Sequence, residues 1–129
     1  MAMELQILSA EKYSVKLKAT IHATGKLGFT EPTAKTMNMT NAGGIKFGRG
    51  ADDNLYIVYC PVADEQCFKV QKAGLYYYVN AKLLFDDLGL DYKRNVIFFD
   101  LAKVKGETNT YKITKRTKER RKEKEEETF

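Results

Sequence analysis

Four basic residues lie close together near the start of this chain: Lys16, Lys18, His22 and Lys26. In "YSVKLKATIHA", Tyr13 to Ala23, apolar and polar residues alternate strictly. Side chains of a strand point alternately to its two faces. Lys16, Lys18 and His22 therefore share a face with Ser14 and Thr20, and Tyr13, Val15, Leu17, Ala19, Ile21 and Ala23 share the other. Cations so arranged can contact successive phosphates, with affinity that falls as salt rises. An ordinary solvated strand face gives the same pattern. Tyr76, Tyr77 and Tyr78 are consecutive, and nucleic-acid bases stack on such rings. Alternation puts Tyr76 and Tyr78 together and Tyr77 opposite. Tyrosine also suits sheets on propensity alone, and sheet or core packing is the expected role.

Other residue types argue against catalysis. His22 is the single histidine and has no evident nucleophile beside it. Asp86 and Asp87 are neighbours on an expected helix, so they diverge, and with Asp91 they do not compose a metal site. Cys60 and Cys67 alone make neither a disulfide framework nor a zinc site, and read as small strand or loop residues in a reducing compartment. "GGIKFGRG", Gly43 to Gly50, has the glycines of a phosphate loop but lacks its Gly-Lys-Ser/Thr ending and its strand-then-helix context. Hairpin turns and bulges account for those glycines. No catalytic residue, metal or cofactor is expected, and the chain is read as a non-enzyme.

The 129 residues carry a net charge of +5, and 43% of them are hydrophobic. That fits one small domain, or two very small intertwined ones. Lys115 to Lys124 holds seven Lys/Arg and two Glu, and Glu125 to Glu127 follow. The tail thus nets +2 and the body +3, a mildly basic balance that permits nucleic acid without demanding it. No apolar run reaches the roughly 20 residues of a membrane span. "MAMELQILSAEKYS" lacks the basic and apolar regions of a signal peptide, so a cytoplasmic location is expected.

These residues need elements to hold them. The long strand ends at a bend, Gly25, and Leu27 and Phe29 resume a strand. Thr30 is the expected cap of a short helix, with Pro32 in its first turn, Ala34 and Met37 on its apolar face, Asn38 as a left-handed closer and Met39 folding back. Strands Ile45 to Gly48 and Leu55 to Cys60 follow, around an Asp-Asp-Asn turn. Pro61 to Gln66 reads as a connector. The order then repeats: strand "CFKVQK", bend Gly74, strand "LYYYV", cap Asn80, helix Lys82 to Leu88, closer Gly89, return Leu90, and strands "NVIFFDLAKV" and "NTYKITK". Gly74 lies 49 residues beyond Gly25, Asn80 50 beyond Thr30, and Gly89 and Leu90 51 beyond Asn38 and Met39. Val96 and Phe98 stand 51 beyond Ile45 and Phe47. The expected fold is α+β, mostly β, with duplicated β-α-β-β units at about 13–60 and 67–114 in one domain, 1–114. Residues 115–129 are expected to be a charged tail, helical or disordered, with Arg121–Glu125 as an i,i+4 pair.

This pattern resembles the AbrB- and MazE-like swapped-hairpin family, on "GKLGFTEPTAKTMNM" for the first copy and "GLYYYVNAKLLFDDLGL" for the second. The resemblance implies that the two copies interleave into a small barrel. A unit of about 45 residues buries too little surface to stand alone, so copies must pair. The resemblance places Lys26 on the basic, DNA-facing position after the glycine and Lys35 on a basic helix position. The departures are Thr30 for the usual proline, Asn38 for the closing glycine and Leu75 for the second copy's basic residue.

Two functions follow as expectations. One is a nucleic-acid-binding regulatory or accessory module that contacts DNA or RNA through Lys16, Lys18, His22, Lys26 and Lys35, and through Lys115, Arg116, Arg120 and Arg121 of the tail. The other is a structural or protein-interaction module, such as an assembly component of a phage or mobile element. The expected partners are nucleic acid, a protein or a second copy, and no membrane.

Overall fold

The computed structural model describes residues 3–10 and 16–119. Tyr13, Val15, Arg120, Arg121 and the Arg121–Glu125 pair lie outside the described residues. Among the described residues, nine strands and two short helices follow in the order β1 (Leu17–Ile21), β2 (Lys26–Phe29), α1 (Glu31–Thr36), β3 (Gly44–Arg49), β4 (Leu55–Cys60), β5 (Phe68–Lys69), β6 (Gln71–Ala73), β7 (Tyr76–Asn80), α2 (Lys82–Asp87), β8 (Asn95–Lys103) and β9 (Thr110–Glu119). The chain is mostly β. Its strands pair antiparallel in one sheet, in the order β5-β3-β4-β9-β8-β1-β2-β7-β6.

The sheet nearly closes on itself, and Val70 is where it does so. Phe68–Lys69 pairs with β3, whereas Gln71–Ala73 pairs with β7. Between them the buried Val70 donates its N–H to the Gly43 carbonyl at 2.9 Å. The expected strand "CFKVQK" therefore changes partner midway and joins the two ends of the sheet into a barrel-like ring. Closure satisfies strand edges that would otherwise be open to other chains.

Alternation works as expected in β1: Ala19 and Ile21 are buried and Lys18 is exposed. Inward residues of both halves fill one core, including Ile21, Leu27, Phe29, Ile45, Ile57, Val79, Phe85, Ile97 and Phe99. Val96 and Phe98, matched to Ile45 and Phe47 in the sequence, are a correction. The residues of β8 that turn inward are Ile97 and Phe99, 52 positions beyond that pair, and a strand shifted by one residue presents its opposite face.

The helix ends follow the expected pattern more closely than the helix starts. Asn38 (φ 55°) and Gly89 (φ 71°) both adopt the left-handed conformation. Asn38 N–H donates to Lys35 and Met39 N–H to Ala34; Gly89 N–H donates to Asp86 and Leu90 N–H to Phe85, the same closing pattern 51 residues later. The Thr30 side chain, expected to accept from the helix amides, makes no capping bond. Its hydroxyl shares a 2.7 Å hydrogen bond with Thr33 Oγ1 instead. In α2 the capping position is Ala81, and Asn80 Oδ1 accepts weakly from Lys82 N–H at 3.3 Å.

Thr33 ties α1 to the sheet. It is fully buried, and its Oγ1 accepts the Lys18 backbone N–H at 2.8 Å. Thr33→Val keeps the shape and orphans that N–H. It is expected to lower stability by about 1–3 kcal/mol, read as a lower urea midpoint, whereas Thr33→Ser keeps the acceptor and costs less.

The β3–β4 turn carries a pH-dependent element. Asp52 accepts from Asn54 Nδ2 at 2.8 Å, Tyr56 OH at 2.7 Å and Asn54 N–H at 3.1 Å. These donors hold its carboxyl down to about 2, against an ordinary 3.8. A carboxyl depressed on folding stabilises the fold above its unfolded value and stops doing so as pH falls through its folded value. The turn should thus lose its contribution between about pH 4 and pH 2. Denaturation midpoints of Asp52→Asn should fall less steeply than those of the parent across that interval.

The C-terminal boundary is also corrected. β9 runs to Glu119 and stays in register with β8 from Lys103↔Tyr111 to Asn95↔Glu119. Lys115 to Glu119 is therefore strand rather than tail. A charge run reads as solvated, but β8 offers a full-length partner, and pairing with it decides the conformation. β4 pairs with β9 only over Thr110–Ile113. Lysine and arginine beyond that point suit a strand edge that other chains must not extend.

Candidate nucleic-acid interface

The outward face of β9, β8, β1, β2 and β7 collects much of the predicted basic set. One cross-strand row runs Arg116, Phe98, Thr20, Gly28, Tyr78. The row on one side contains Thr114, Asp100 and Lys18. On the other, Lys118 pairs with Val96 and Lys26 with Asn80. Lys18 is exposed and Lys26 half-buried. His22 is exposed in the turn just after β1, where its backbone N–H donates to the Lys26 carbonyl. Asp100 is the single acidic residue among the described positions of this face, and Arg116 Nε holds it at 2.9 Å.

Cations and rings interleave here. Lys18 Nζ lies 5.4 Å from the Phe98 ring centroid and Lys26 Nζ 5.0 Å from that of Tyr78. Tyr76 and Tyr78 stack, with centroids 6.0 Å apart and planes 26° from parallel. His22 Nε2 hydrogen-bonds the Tyr76 hydroxyl. Burial pushes the Tyr76 phenol up from its ordinary value. Gly28 makes this possible: a Cβ there would fall inside the Tyr76 phenol. The three tyrosines divide as alternation demands. Tyr77 packs on the core, and Tyr76 and Tyr78 face out, half-buried.

The other predicted residues lie elsewhere. Lys16 is exposed just before β1. Lys35 pairs with Glu31 at 3.0 Å on α1 and lines a groove of about 440 Å³ with Met39, Lys72, Leu75 and Tyr77. Lys115 borders a separate hollow of about 290 Å³ with Arg49, Leu88 and Leu90. Phe98 and Lys118 are further members of the basic face, to which nothing in the sequence alone points. Their signal was the alternation of β8 and β9, legible only once the two are paired.

The remaining motifs have structural roles. "GGIKFGRG" supplies β3 from Gly44 to Arg49, with Gly43 closed in by Tyr59 and Gly44 by Cys67. Asp86 accepts from Lys82 Nζ at 2.8 Å and Tyr92 OH at 2.6 Å, and these two partners hold its carboxyl below the usual range. Cys60 and Cys67 are half-buried free thiols, and burial raises Cys60. Among the described residues no group of three His, Cys, Asp or Glu could hold a metal ion, and no helix is long and apolar enough to cross a membrane.

The fold and this face define a class: a small, nearly closed antiparallel β protein with one basic, aromatic outer surface. Comparison with protein-family models, curated proteins and solved structures finds no match.

Proposed function

We propose that this chain is a non-enzymatic nucleic-acid-binding module of AbrB-like, swapped-hairpin architecture that serves as a regulatory or accessory factor. The observation that carries the binding reading is the outer face on which Lys18, His22, Lys26 and Arg116 meet, with Asp100 as its lone described acid. Strands β1, β2 and β9 set Lys18, Lys26 and Arg116 on one face, where they can meet backbone phosphates, and their contribution should weaken with salt.

The strand pairing supports the duplicated architecture. Exchange the first half, β1 to β4, for the second, β5 to β9, with β5 and β6 counted as one strand. The β1–β2 pair becomes β6–β7, β3–β4 becomes β8–β9, and β1–β8 becomes β5–β3. The β2–β7 and β4–β9 pairs map onto themselves. Each half's last hairpin thus adds to the other half's first strand, which is the interleaving that swapped hairpins imply.

A second reading, a protein-interaction or assembly module, draws on the groove beside α1, where Leu75 remains 77% exposed near Ala34 and Met39. Fluorescence anisotropy with labelled nucleic acid at rising salt separates the two. The binding reading expects log affinity to fall linearly with log salt. No binding at low salt would leave the interaction module.

A further inference from the structure

Phosphate contact needs only cations, yet this face sets aromatic rings among them. Tyr78 and Phe98 occupy one outward row, separated by Gly28 and Thr20. Strands are about 4.8 Å apart, so three steps place the two residues about 14 Å from one another. Tyr76 lies against Tyr78 and over Gly28. Lys26 and Lys18 rest on Tyr78 and Phe98 through long, flexible stems. Cation–ring contacts at a surface are weak, so a lysine can leave its ring for a phosphate and free the ring for a base. With Gly28 covered by Tyr76, the row presents Tyr78, Tyr76, Thr20 and Phe98 in turn.

A duplex cannot use these rings, because its bases are stacked on one another and turn only their edges and phosphates outward. A single strand can lay its bases flat on them, as unpaired bases do on aromatic platforms. We infer that the face formed by Tyr76, Tyr78, Phe98, Lys18 and Lys26 binds single-stranded nucleic acid by base stacking between backbone contacts, in preference to duplex. This rests on the nucleic-acid-binding reading above and specifies its ligand.

The test compares a labelled mixed-sequence DNA oligonucleotide of about a dozen nucleotides, its RNA counterpart and the matching DNA duplex, all at one salt concentration. The single strands should bind at least about tenfold more tightly than the duplex, and Tyr78→Leu and Phe98→Leu should each weaken single-strand binding by about tenfold, well beyond any loss of duplex binding. The DNA and RNA arms show which sugar is preferred. The chain has eight tyrosines and no tryptophan, so its intrinsic emission reports on tyrosine, and stacking should quench it in the unaltered protein. That readout holds even where a variant fails to fold. Duplex binding as tight as single-strand binding, or single-strand binding without quenching, overturns stacking and leaves the backbone reading in place. No binding of any of the three at low salt overturns both.

Discussion

Replacing Lys18, Lys26 and Arg116 together by glutamine is expected to weaken nucleic-acid binding by about 100-fold near 0.1 M salt. Each phosphate contact with a single strand contributes about 0.7 to the slope of log affinity against log salt, so losing three should flatten that slope by about 2. The loss should be at least this large, because removing Arg116 also frees the Asp100 carboxylate on the same face. The fold should survive. Lys18 is held by its backbone, through Thr33 Oγ1 and the Thr30 amide, and none of the three side chains belongs to the buried core. Lys35→Gln and Lys115→Gln provide the comparison. Both remove a positive charge, but from the α1 groove and from the hollow beside Leu88, so they should change affinity little. Anisotropy titrations at several salt concentrations read both quantities. An equal loss from either set of variants would mean that net charge, not this face, drives binding.

Phe85→Ala should be the most damaging single truncation in the helices, costing about 3–5 kcal/mol. Phe85 is the one fully buried residue of α2 and meets the Phe47 ring edge-on at 5.9 Å. Phe47 belongs to β3, so this contact joins the helix of one half to a strand of the other. The Phe85 carbonyl also accepts the Leu90 N–H that closes the helix. Small domains have only about 5–15 kcal/mol of net stability, so the variant should be near the limit of folding. Leu83→Ala on the same helix removes a side chain that is 79% exposed, and should shift stability by no more than about 0.5 kcal/mol. Urea denaturation followed by circular dichroism gives both values. Equal effects would show that α2 does not dock through Phe85.

Local features of this fold were legible because they depend on neighbours in the chain. The alternation of Leu17 to Ile21 specifies a strand with one buried face whatever it pairs with. Gly25 and Gly74 mark turns, and both have positive φ. Asn38 and Gly89 end their helices because the left-handed conformation is least costly for such residues. The helix starts were less legible. Thr30 had a better partner in Thr33, a buried residue that also serves β1, and nothing within α1 announces it.

Chain-local signals were therefore enough to mark most strands, the bends at Gly25 and Gly74, the helix ends at Asn38 and Gly89, and the basic outer side of β1. Short-range sterics and side-chain alternation fix those features. The tertiary structure decided which strands meet. Pairing with β8 made a strand of Lys115 to Glu119 and brought Arg116 beside Phe98. Pairing of β2 with β7 set Gly28 opposite Tyr78 and left Tyr76 and Tyr78 outside while Tyr77 went in. In a run of like residues such as Tyr76 to Tyr78, a two-residue period states that neighbouring side chains face opposite ways, but not which face meets the core. That choice belongs to register, and register is set by the apolar surface the whole barrel can bury.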